Sequence, residues 1–106
     1  MNNEIVNILK KLKTEFEKLY QSRLVTLILF GSQARGDAES GSDIDVLVVL
    51  KGTVQVGTEV KRTGQIIADL SLQHDEVINC IFMEEDYFLN RQGPLLRNIR
   101  KEGILL

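Results

Sequence analysis

The chain has 106 residues, 13 Lys and Arg against 15 Asp and Glu, and a formal net charge of -2 with a pI near 5.4. That length suits a single domain over residues 1–106 and leaves no room for a catalytic domain plus a full acceptor-binding domain. The mixed charge, without a basic run, argues against extended contact with a nucleic-acid backbone. The lone Cys80 excludes an internal disulfide. With no signal peptide or membrane-length apolar span in view, the expected location is cytoplasmic, away from the membrane.

From the N-terminus, Asn3 to Tyr20 sets Ile5, Ile8, Leu9, Leu12, Phe16, Leu19 and Tyr20 along one stripe of an amphipathic helix. Lys10, Lys11, Lys13 and Lys18 alternate with Glu15 and Glu17 on the other face, which suits solvent better than a ligand. Leu24 to Phe30 is nearly all apolar and rich in branched side chains, the pattern of a strand covered on both faces. It stops at Gly31-Ser32, and Ser32 to Arg35 is expected to start a short helix. A small polar loop, Asp37 to Ser42, leads into a second apolar strand, Ile44 to Leu50.

Asp43 and Asp45 stand at the head of that second strand. Side chains alternate along a strand, so both carboxylates face one site while Ile44 points into the core. Two converging carboxylates repel unless a cation lies between them or one is protonated, and a hard divalent ion such as Mg²⁺ resolves the conflict with oxygen ligands and phosphates. The preceding loop supplies complementary groups. Gly31 lets backbone approach a ligand, Ser32 can donate, and Arg35 can pair with phosphate oxygens.

Other nucleotide and hydrolase patterns fail on specific residues. Gly31 and Gly36 have phosphate-loop spacing, but Asp37-Ala38 stands where that motif needs Lys and then Ser or Thr. No G-x-G-x-x-G occurs, and Ser32 lacks the G-x-S-x-G setting of a hydrolase serine.

A second helix is expected from Val56 to Gln73, with Val60, Ile67 and Leu70 inward and Lys61, Arg62 and Asp69 in non-catalytic positions. His74 falls at its end, where a cap or dipole role is usual. Val77 to Met83 reads as a third apolar strand carrying an inert, buried Cys80. A short helix with an acidic first turn runs to Asn90, and another from Leu95 to Lys101 follows Gly93-Pro94. Arg97, Arg100 and Lys101 lie on that last helix. The tail Ile104-Leu105-Leu106 is apolar enough to pack on the domain or on a second chain. This order gives an α/β or α+β sheet covered by helices.

Gly31-Ser32-x-Ala34-Arg35-Gly36 followed by Ser42-Asp43-x-Asp45 and Val46-Leu47-Val48 resembles the signature of the minimal nucleotidyltransferases of the DNA polymerase beta superfamily. The resemblance implies a small mixed sheet, a triphosphate held by Gly31, Ser32, Arg35, Gly36 and Ser42, and two Mg²⁺ ions on the catalytic Asp43 and Asp45. It implies transfer of a nucleoside monophosphate, AMP from ATP or another triphosphate, to a hydroxyl acceptor. It further implies an antitoxin-type pairing with a helical HEPN protein; a homodimer is the alternative association. One residue departs from the pattern. The family's third carboxylate aligns with Asn79, which brings no charge and is a poor base, with Glu76 as a substitute on the opposite side of the strand. A weakly active or inactive module that works by binding a partner is therefore the alternative to the enzyme.

Overall fold

The structure is a computed structural model that describes residues 1–106. Its centre is β2 (Ile44–Leu50), in which every residue but Asp45 is buried. Alternation sends Ile44, Val46, Val48 and Leu50 into one apolar layer and Leu47 and Val49 into the other. A strand apolar on both faces needs cover on both, and the remaining elements provide it. β1 (Leu24–Phe30) pairs antiparallel with one edge of β2, and β3 (Ile78–Glu84) pairs parallel with the other. A short β4 (Ile104–Leu105) closes against β1, giving a mixed sheet of order β3-β2-β1-β4.

α1 (Asn3–Tyr20) covers one face, with Ile5, Ile8, Leu9, Leu12, Phe16 and Tyr20 buried. Asn2 caps it by accepting the Ile5 N–H at 2.8 Å, satisfying a donor that the first turn leaves open. Leu19, on the border of the predicted stripe, remains 37% exposed. α3 (Val56–His74) lies beside α1 and turns Leu70 and Ile67 inward as apolar spacing suggests, but its first turns face the core with other residues. Glu59, Thr63 and Leu70 are buried, whereas Val60 is 53% exposed.

The cause is a polar network that replaces an apolar contact. The buried Glu59 carboxylate accepts from Tyr20 Oη at 2.7 Å, Arg62 Nε at 3.0 Å and Arg23 Nη1 at 3.2 Å. Thr63 donates its hydroxyl to the Glu59 carbonyl at 2.8 Å. Arg23 also donates to the carbonyls of Lys51 and Thr53. One carboxylate thus ties the end of α1, the start of β1, the exit of β2 and the first turns of α3.

The other face is covered by α4 (Glu85–Asn90) and α5 (Pro94–Glu102). Ile99 packs with Ile28, Leu47 and Val49, and Phe88 lies against them. Arg100 donates to the carbonyls of Arg91 and Phe88 and stacks over the Phe88 ring, so it joins α4 to α5. The tail packs on its own sheet, with Ile28 opposite Leu105, Leu29 opposite Ile104, and the Leu106 N–H donating to Leu27. No helix is long and apolar enough to cross a membrane.

Burial by itself would raise the pKa of Glu59. Hydrogen bonds from Tyr20 and Arg23 and the charges of Arg62 and Arg23 outweigh it, holding the carboxyl below its ordinary 4.5. A folded value below the unfolded one contributes stability above about pH 4.5 that is lost as pH falls through the folded value. Glu59→Gln is therefore expected to cost about 2 kcal/mol in urea unfolding at pH 7, with the gap to wild type narrowing as pH falls below that range. A gap that stays constant with pH would assign the loss to packing instead.

Candidate functional site

The ends of three strands meet at one corner of the sheet. Phe30, the last residue of β1, is opposite Asp45 on β2, and Asp45 is beside Asn79 on β3. Asp43 is two residues before Asp45 and shares its side. The Asn79 amide Nδ2 donates to Asp43 Oδ2 at 2.7 Å and to Asp45 Oδ1 at 3.4 Å, so it lies between the two carboxylates. Asp43 and Asn79 are exposed and Asp45 is half-buried. No third acidic, histidine or cysteine side chain joins them in a ligand cluster. Glu76 therefore does not replace the missing carboxylate, and Asp69 instead accepts from Gln65 on α3.

Gly31 is required twice over. Its φ of 76° lies in the left-handed region, and a Cβ there would stand 2.5 Å from Asp45 Oδ2. The short helix that follows, α2 (Ser32–Arg35), is where apolar run and glycine punctuation predict it. Its Ala34 and Arg35 N–H groups donate to the Gly31 carbonyl, leaving those of Ser32 and Gln33 without an intrahelical acceptor. Gly36 ends α2 in the left-handed conformation at φ 83°, and its contribution is to this turn.

Ser42 closes the loop that delivers Asp43. Its hydroxyl accepts the Glu39 N–H at 2.9 Å, and its carbonyl accepts from Gln33 Nε2 at 3.4 Å. Arg35 is engaged by two carboxylates, Asp37 at 3.2 Å and Glu102 at 3.1 Å. Asp37 first and Glu102 second hold the guanidinium yet more firmly protonated, and a phosphate at Arg35 must compete with both. No local pattern pointed to Glu102, which lies 67 positions along the chain. Cys80 faces the opposite layer, where burial pushes its thiol up to about 12 and keeps it inert at neutral pH.

This donor set fits a hard divalent ion. Two carboxylates and an amide oxygen are hard ligands, solvent reaches the corner, and an N–H donor already occupies the gap where positive charge belongs. An open groove of about 340 Å³ between α3 and β3 is lined by residues that include Gly64, Ile67, Asn79 and Phe82.

A glycine-serine turn facing a carboxylate pair at the end of a small mixed sheet is the arrangement of the minimal nucleotidyltransferases. Residues 9–106 match the family described as the nucleotidyltransferase domain, and the chain belongs to it. Two proteins of Methanocaldococcus jannaschii named as putative protein adenylyltransferases are each 34% identical to it. One match spans 100% of this chain and 99% of the relative, the other 77% and 82%. Among solved structures, a protein of Sulfolobus solfataricus described as a putative nucleotidyltransferase aligns with a TM-score of 0.59 and 25% identity, over 99% of this chain and 86% of that one. A toxin-antitoxin assembly with AMP-PNP aligns at 0.64 and 20% identity, over 98% and 72%. A tri-AMPylated Shewanella oneidensis HEPN toxin with its MNT antitoxin aligns at 0.54 and 14% identity, over 92% and 70%. These last two likenesses speak to the fold.

Gly31→Ala is expected to strain the turn and displace Asp45, lowering stability by about 1–3 kcal/mol. A crystal structure or the Asp45 carboxyl chemical shift of the variant checks this. An unmoved Asp45 would contradict the close approach.

Proposed function

We propose that this chain is a Mg²⁺-dependent nucleotidyltransferase that moves AMP from ATP to a protein hydroxyl, with a HEPN-type helical protein as its acceptor and partner. The observation that carries the reading is the convergence of Asp43 and Asp45 opposite the Gly31-Ser32 turn. The names of the 34% identical relatives favour a protein as acceptor. The acceptor oxygen attacks the α-phosphorus, the bond from that phosphorus to the bridging oxygen breaks, pyrophosphate leaves, and the hydroxyl proton passes to solvent. Bound divalent ions, two in this reading, supply charge neutralisation at the attacking and leaving oxygens.

The residues divide the remaining tasks. The Gly31 backbone and Ser32 hydroxyl hold phosphate oxygens, Gly36 shapes the turn, and Ser42 fixes the loop ahead of Asp43. Arg35 exchanges Asp37 and Glu102 for phosphate, which reduces the net gain from its charge because two ion pairs are given up. Asp43 and Asp45 carry the ions.

A second reading is favoured by one observation, the neutral Asn79 beside the carboxylate pair. In it the chain binds nucleotide and partner but transfers inefficiently. The two part company over ATP labelled on the α-phosphate: label retained on the partner, with pyrophosphate released, supports the enzyme, and binding without label transfer supports the module.

Asp43→Asn and Asp45→Asn should each abolish Mg²⁺-dependent ATP binding in calorimetry while leaving the melting temperature close to wild type or higher, since each removes a like charge. Unchanged Mg²⁺-ATP affinity in both variants would remove the site assignment.

A further inference from the structure

Asn79 occupies a position that electrostatics reserves for positive charge. Its Nδ2 is 2.7 Å from Asp43 and 3.4 Å from Asp45, and the parallel pairing of β2 with β3 puts it in register with Asp45. An amide has two unlike ends on one soft torsion, a donor nitrogen and an acceptor oxygen. Because Asn79 is exposed, no packing prevents that torsion from turning. The nitrogen end suits the two carboxylates without a metal, and the oxygen end suits a cation. No further carboxylate, histidine or cysteine is within reach to add charge.

We propose that Asn79 makes the two ion sites of this corner unequal. In the ion-free protein it bridges Asp43 and Asp45 through its N–H₂ group and keeps the pair pre-assembled. When a divalent ion binds, the amide turns and offers Oδ1. The site then carries two formal negative charges, enough to hold one divalent ion firmly together with a triphosphate. A second ion gains only a neutral oxygen from β3, so it is held weakly. The inference rests on the nucleotide site proposed above and concerns how many ions that site holds at a given concentration.

The test uses Mn²⁺ as the probe, counted by electron paramagnetic resonance in the full chain with AMP-PNP. Wild type should take up one Mn²⁺ tightly and a second only at much higher concentration. Asn79→Asp should tighten the second by on the order of 10- to 100-fold, the scale on which outer partners alone alter metal affinity. In chelator the same variant should melt below wild type, because a third carboxylate replaces the bridging donor, and Mn²⁺ should reverse the loss. Asn79→Ala, which removes the bridge without adding charge, should not tighten the second ion. Two equally tight ions in wild type, or an unchanged second affinity in Asn79→Asp, would overturn the inference while leaving the nucleotide site in place. No Mn²⁺ uptake in wild type or either variant would overturn the site itself, and the inference with it.

Discussion

Two carboxylates of like charge stand at the head of a strand whose other residues are buried, and the local architecture follows from keeping them there. Repulsion between them would splay the start of β2, were it not opposed on three sides. Asn79 supplies N–H donors between the carboxylates, Gly31 yields the space that Asp45 fills, and the Ser42 turn holds the chain just ahead of Asp43. Each support comes from a different strand end or loop. The corner is therefore assembled by the tertiary fold, although its two acidic members are neighbours in sequence.

The opposite end of the sheet is held in another way. There a single buried carboxylate, Glu59, is neutralised by two arginines and hydrogen-bonded by a tyrosine, and the bonds of Arg23 reach the loop leaving β2. A buried charge is tolerated only when paired and fully hydrogen-bonded, which Glu59 is. The strand is thus pinned by a neutralised charge at its exit and burdened by an incompletely neutralised pair at its entrance. The exit of the strand is therefore anchored by bonds that none of the corner residues shares.

Much of this was legible because strand geometry is periodic. A spacing of two was enough to put Asp43 and Asp45 on one side and Ile44 in the core, and the glycine-serine break after Phe30 marked the turn facing them. Asn79 was singled out by the resemblance, whose third carboxylate position falls between Ile78 and Cys80 in the third apolar run. The C-terminal half of α3 was legible through Ile67 and Leu70, but its first turns were not, since apolar spacing favoured Val60 while the fold buries Glu59 and Thr63. A buried charge has no local signature when its partners, Tyr20 and Arg23, are 36 or more positions away. The pairing of Arg35 with Glu102 was hidden for the same reason. The tail pairs with the open side of β1 in its own chain and leaves Ile104 and Leu105 exposed.

The sheet has two edges, β3 and the two-residue β4. β4 shields β1, but β3 presents its outer backbone to solvent, with Val77 and Ile81 exposed beside it. From Val77 to Met83 this edge has no charged side chain; Glu76 and Glu84 stand at its two ends. Flanking charges of that kind act as gatekeepers against strand-to-strand association between molecules. The seven residues between them carry no charge, so the guard against sideways pairing sits only at the two ends of this ribbon.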